Sequence, residues 1–233
     1  QIQGFEHLGS SGSATWTLSG TNSTSQSWSA SSGKLIVNGT MANTDFTIGS
    51  GATLGGSGTV GDVTVLSGGS LGPGNSPGIL NTGDFSLSGT LQIELAGTTV
   101  GTQYDQVNVT GTVTLGGSLD VSLLDSFLSR YGDSFNIINN DGSDDVSGTF
   151  SGLAEGDTIT VGGTEFEISY KGGDGNDVEL TTLSPAPTED NNTGATVGEG
   201  GAVVITAAKL GFSDTDQTNA NLVFKLNSIP ANG

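Results

Sequence analysis

Carboxylates dominate the side chains that could do chemistry here. In 233 residues, 24 Asp and Glu stand against five Lys and Arg, one His and no Cys. Thiolate metal sites and disulfides are excluded. A Ser–His–Asp or Cys–His arrangement would have only His7 to draw on, and His7 sits beside the start of the chain. Paired carboxylates can cleave glycosidic bonds, but such sites usually add Lys or Arg to stabilise developing charge. The basic residues Lys34, Arg130, Lys171, Lys209 and Lys225 are thinly spread, so the sequence predicts no enzyme. A hard cation suits the composition better, because calcium takes six to eight oxygen ligands. The strongest candidate set is Glu199 with Asp214 and Asp216, which Asp190 could join. The competing reading makes Asp214-Thr-Asp216 a plain turn.

Two further oxygen-rich loops were weighed against simple turns. GGDGNDVEL (Gly172 to Leu180) matches the first six positions of the calcium nonapeptide GGxGxDxUx, with Asp174 and Asp177 as its candidate ligands. Its eighth position is Glu179 instead of a large apolar residue, and the motif works in tandem stacks. A tight turn is therefore the preferred reading. NNDGSDD (Asn139 to Asp145) lacks EF-hand spacing and reads as a solvated turn. The Gly-Pro-Gly-Asn-Ser-Pro-Gly run after Leu71 lacks the Lys-Ser/Thr ending of a phosphate loop. A net charge of −19 disfavours nucleic acid and anionic membrane surfaces and attracts divalent cations. The sequons at Asn22, Asn38 and Asn108 are expected by chance in so Asn-, Ser- and Thr-rich a chain.

The elements that must position these groups are short strands between glycine-rich corners. Glycine contributes 40 residues, placed between alternating apolar pairs. Phe46, Ile48 and Leu54 recur as Val63, Val65 and Leu71, each 17 residues later. That grammar describes one coil of a β-solenoid, which buries its apolar face only by stacking on a neighbour. Beyond Leu80 the coils lengthen: Phe85 and Leu87 read as recurring at Val107 and Val109, with an insertion at Thr98 to Asp105. The prolines after Leu71 predict a long turn that leaves the ladder. Asp125 to Phe135 predicts a corner laying Phe127, Leu128 and Tyr131 over the coil end, and Trp16 and Trp28 are expected to pack. Spacing then shortens, which predicts antiparallel hairpins capping the solenoid. About nine coils at about 4.8 Å each would make a rod on the order of 40 Å. LSPAPTEDNNTG reads as a linker around residues 183–193. Residues 194–233, with strands at Ala202 to Thr206 and Leu222 to Asn227, read as the truncated opening of an Ig/cadherin-like β-sandwich. The chain begins Gln-Ile-Gln and reads as a piece of something longer.

WTLSGTN, KLIVNG, GSGTVGDVTV and LGPGNSPGIL resemble the β-strand repeats of bacterial autotransporter passengers and related surface proteins. YDQVNVTGTVTLGGSLDVSLL, GDSFNII, GTFSGL and ISYKGGDGNDVELT look like the segment that commonly follows such repeats, so that the likeness spans residues 14–182. VGEGGAVVITAAKLGFSDTD, continued by LVFKLNSIPANG, is similar to the chondroitin-sulfate-proteoglycan type of cadherin-like repeat found in tandem in long bacterial adhesins. The resemblance implies an all-β protein: a parallel β-helix over residues 1–182 with an antiparallel cap, then sandwich domains, exported to the cell surface. It also implies that Glu199, Asp214 and Asp216 meet near the domain junction.

The expected function is a stalk or spacer in a large secreted or surface-anchored adhesin, rigidified by calcium at the junction. Its expected partners are neighbouring repeats of the same protein, further copies of itself or surface polysaccharide. Nucleic acid and membrane insertion by this segment are not expected. The alternatives are a polysaccharide-binding module using Trp16 or Trp28, a filament subunit, and lastly a polysaccharide lyase or hydrolase. Exposed aromatics in a groove would favour glycan binding, and clustered carboxylates with Lys or Arg would favour cleavage. A flat Ser/Thr/Asn face would favour the spacer.

Overall fold

The computed structural model describes residues 7–10, 12–184, 188–192, 204, 206 and 210–213. The chain divides into two compact units, Gln1–Leu183 and Ser184–Gly233. The described residues are all-β, and the first unit has the parallel-sheet architecture of a β-solenoid. No helix among them is long and apolar enough to cross a membrane.

Each complete coil gives one strand to each of three sheets. Five coils are complete: Gln26–Met41, Thr44–Val60, Val63–Thr82, Phe85–Val109 and Val113–Asn140. A two-strand turn precedes them (His7–Ser10, Thr15–Leu18), and one short strand, Ser147–Gly148, follows. Nine coils was an overestimate, because the later coils are longer and the final strands do not coil. At about 4.8 Å each, five coils rise roughly 25 Å.

Side-chain alternation makes the interior. In the first sheet Trp28, Phe46, Val63, Phe85 and Val113 stand in register. In the second, Leu35, Leu54, Leu71 and Leu91 form an unbroken leucine column. In the third, Leu80, Val107 and Ile138 align. All are buried, and each such side chain contributes about 1.5–3 kcal/mol through removal from water. Parallel pairing across every interface leaves no free edge inside the stack.

The 17-residue repeat is borne out, but the next step is not. Phe85 and Leu87 pair with Val113 and Leu115, while Val107 and Val109 belong to the third sheet, opposite Leu80 and Thr82. An apolar-x-apolar pair marks an inward strand on any sheet, so periodicity alone could not separate the two assignments. Pro73 is also in the ladder, opposite Gly56. It is tolerated because the following coil pairs with this strand only at Ser70 and Leu71, so no hydrogen bond needs the missing N–H.

The corners differ in how they hold the chain. Between the third and first sheets, Asp62 N–H donates to Asp45 Oδ1 (3.1 Å) and Asp84 N–H to Asp62 Oδ1 (2.8 Å). Thr112 N–H and its hydroxyl both donate to Asp84 Oδ1, at 2.7 and 3.0 Å. Each carboxylate therefore fastens its own coil to the next. Gly61 is required in this ladder, since a Cβ there would lie 2.5 Å from Asp45 Oδ1 and 2.8 Å from the Thr44 carbonyl.

Asp177–Thr182 runs antiparallel to Ser134–Asn140, and Thr164–Gly172 and Thr158–Val161 extend the third sheet outward. Phe135 anchors this region, edge-on to Tyr104 (5.4 Å), Phe166 (6.1 Å) and Phe127 (6.2 Å). The Tyr170 hydroxyl accepts from Phe150 N–H (2.9 Å) and donates to the Leu153 carbonyl (2.8 Å). Only Phe127 of the predicted corner trio packs inward, whereas Leu128 and Tyr131 are 78% and 58% exposed. Left-handed backbone at Asp125 (φ 51°) and Ser126 (φ 57°) ends the strand and turns those side chains outward.

Trp28 packs as expected, stacked on Phe46 with ring centroids 6.5 Å apart. Trp16 does not. It continues the inward column opposite Leu35 but is half exposed, because its strand is the edge of its sheet. In the second unit Thr188–Asn192 pairs antiparallel with Leu210–Ser213. Val204 and Thr206 of the predicted Ala202 to Thr206 strand carry no strand pairing, and Leu222 to Asn227 lies outside the described residues.

Candidate functional site

A groove of about 350 Å³ runs along the outside of the second sheet. The outward column of that sheet passes from Ile36 through Gly55 and Gly72 to Gln92 and Asp120. Gly72 leaves the middle of the floor as open backbone. Gly55 beside it is buried, with the Lys34 Cε 3.6 Å and the Gly72 carbonyl 3.2 Å from where its Cβ would sit. Glu94 and Ser122, paired across neighbouring coils, close the far end.

The other wall is the loop Gly74 to Gly78. Gly56 and Gly74 exchange backbone hydrogen bonds (2.9 and 2.8 Å), and Asn75 Nδ2 donates to Asn38 Oδ1 (3.0 Å). The Asp105 carboxylate holds its far end, with Oδ1 accepting from Gly78 N–H (2.7 Å) and Oδ2 from Glu94 N–H (2.9 Å). One buried carboxylate thus ties the overhanging loop to the strand that carries Glu94. Burial pushes the Asp105 carboxyl up to about 7, opposed by those two backbone donors and reinforced by the nearby Glu94 charge.

Asp105 ends the Thr98 to Asp105 insertion, which lies at a corner as the sequence predicts, and that corner joins the second sheet to the third. The insertion is tightly held. Ala96 N–H donates to the Gln103 carbonyl (2.6 Å), Gly101 N–H to that of Tyr104 (2.8 Å), and the Tyr104 ring is buried against Phe135. Burial raises the Tyr104 hydroxyl above its usual range.

The groove collects residues from position 34 to position 122 and was not legible in the sequence. Its one sequence signal is the outward Gly55–Gly72 pair, which reads equally well as a corner. Lys34 shares the groove with Glu94, Asp105 and Asp120, but it stands three strands from Glu94 and four from Asp120, so the lysine and these carboxylates are not clustered. The outer faces of the other sheets bear hydroxyl and amide groups, and a pocket of about 460 Å³ lies on the third at Ile79, Asn81, Gly101 and Asn108. Ser29, Thr47, Thr64, Ser86 and Thr114 align on the first sheet. On the third sheet Asn108 Nδ2 donates to Asn81 Oδ1 (3.0 Å).

The predicted metal ligands fall elsewhere. Asp174 is exposed on the turn between two antiparallel strands. Asp177 is buried, with Oδ2 accepting from Asn136 Nδ2 (2.6 Å) and Oδ1 from Asn140 N–H (2.8 Å), so that both oxygens hold the turn. Asp190 lies on the strand Thr188–Asn192. Glu199, Asp214 and Asp216 lie outside the described residues. Among the described residues no three His, Cys, Asp or Glu side chains gather as a metal group. No family model matches this chain, and no curated protein matches it.

Proposed function

We propose that this chain is a rigid spacer of a larger extracellular, surface-attached adhesin. One observation carries this reading: each of the five coils pairs with the next in all three sheets, and inward columns run through all five in the first two. Load along such a stack is shared by many parallel hydrogen bonds and a continuous core. The Ser/Thr face of the first sheet suits a surface that spaces other domains. In this reading the antiparallel strands from Thr158 to Thr182 cap the stack, and residues 194–233 open a cadherin-like sandwich completed by neighbouring repeats.

The test is single-molecule pulling on the full chain. A spacer holds as one cooperative unit and then releases the 183 residues of the first unit together, a contour gain of roughly 600 Å. Gradual extension at low force, coil by coil, counts against it. Calcium at the junction through Glu199, Asp214, Asp216 and Asp190 is part of the proposal. At about 2 mM calcium, a site of extracellular-module affinity would stabilise the second unit by about 0.6–2 kcal/mol. A melting curve unchanged between calcium and chelator removes calcium from the account.

A second reading, polysaccharide cleavage, draws on Lys34 and the carboxylates that share its groove. Release of new reducing ends from neutral or uronic-acid hexasaccharides would support it, and an inert result would retire it. Asp105 would contribute poorly as an acid, because both its oxygens already accept backbone hydrogen bonds.

A further inference from the structure

We propose that the second-sheet groove binds an uncharged oligosaccharide chain laid along the solenoid axis. The groove crosses five coils, from Lys34 to Ser122. Four inter-coil steps of about 4.8 Å make a trough roughly 19 Å long. Its volume of about 350 Å³ falls in the range of small-ligand sites, about 300–1,000 Å³.

The walls select the ligand class. Lys34 donates, the Thr53 and Ser122 hydroxyls and the Gln92 amide both donate and accept, and Glu94 and Asp120 accept. Closely spaced hydroxyl groups satisfy such a mixture because each is donor and acceptor at once. An anionic polymer would meet two uncompensated carboxylates on a chain of net charge −19. A peptide adding as a strand needs a free sheet edge, and the floor strands from Lys34 to Glu94 each have a neighbour on both sides, which leaves only Ser118–Leu123 at the far end as an edge. Ile36 and Pro73 are the sizeable apolar groups of the lining, which is too little for a lipid or aromatic ligand.

The trough is also pre-formed. The overhang is tied down at Gly74 by Gly56 and at Gly78 by Asp105, so binding would order little that is not already ordered. Gly72 lets a sugar ring approach the backbone at mid-trough. A Cβ on Gly72 would meet only Gln92, at 3.6 and 3.8 Å, which is ordinary contact. Gly72→Thr therefore fills the trough without forcing the coils apart.

The experiment is isothermal titration of the full chain with cellohexaose, xylohexaose, mannohexaose and maltohexaose, with hexagalacturonate as the anionic comparison. At least one neutral chain is expected to bind and hexagalacturonate is not. Gly72→Thr should weaken binding tenfold or more with an unchanged melting curve. Should Gly72→Thr unfold, Asp120→Asn and Gln92→Ala, both on exposed side chains, carry the same expectation. Binding by no neutral chain, preferred binding of hexagalacturonate, or undiminished binding by folded floor variants overturns the proposal. None of these outcomes bears on the pulling experiment, so the spacer reading stands or falls separately.

Discussion

Two corners of the same solenoid behave differently as the chain proceeds. Between the third and first sheets the connections are two, two, two and three residues long through the first four coils. Between the second and third sheets they grow from two and two to five, ten and ten. The short corner is built from Asp45, Asp62 and Asp84, exposed carboxylates that each hold the next coil. The growing corner is built from loops, and its key carboxylate, Asp105, is buried. A solenoid can thus keep one seam fixed by repetition and lengthen another. The lengthened seam supplies the overhang that turns a flat sheet face into a groove.

Three measurements would break or sharpen that contrast. The largest effect is expected at the growing corner. Asp105→Ala leaves the Gly78 and Glu94 N–H groups without an acceptor in a buried site, a loss of roughly 2–5 kcal/mol. Its pH dependence has a definite sign. The folded carboxyl titrates near 7, above its unfolded value, so its stabilisation is full below about 4 and declines as pH rises to about 7. Denaturant melts should therefore show the Asp105→Ala deficit largest at low pH and smallest above neutrality. A deficit that grows with pH would contradict the assignment.

At the fixed corner, Gly61→Ala places a Cβ against the Thr44 carbonyl and the Asp45 carboxylate. The Asp45 side chain can swing away but the Thr44 backbone cannot, so a thermal melt should show a loss of about 1–3 kcal/mol. The smallest effect is expected for Asp62→Ala, which removes one exposed acceptor at a cost of about 0.5–1.5 kcal/mol. If Asp62→Ala matched Asp105→Ala, the two corners would not differ in the way their burial implies.

Much of the fold was legible because its signal is local. The 17-residue step at Phe46 and Val63 survives intact, as does the insertion ending at Asp105. The Gly-Asp corner is equally local, in Gly61-Asp62-Val63 and Gly83-Asp84-Phe85, but a Gly-Asp pair also reads as an ordinary turn and does not by itself mark a repeat. The assignment of Phe85 to Val107 failed for a different reason. Three sheets share one inward grammar, and nothing in an apolar pair says which sheet it joins. The groove was least legible of all, since its residues are the outward positions of strands up to 88 residues apart, from Lys34 to Ser122.

The sequence by itself determined which side chains face inward, because alternation along a strand is a property of adjacent residues. It also determined that glycine and aspartate mark corners, and that the surface is acidic. The tertiary structure decided which coil each strand stacks on and which corner takes up added length. It also decided that Asp105 holds a loop in place of facing water. Those outcomes depend on register between coils 17 to 31 residues apart, and register is fixed only when all three sheets close on one core.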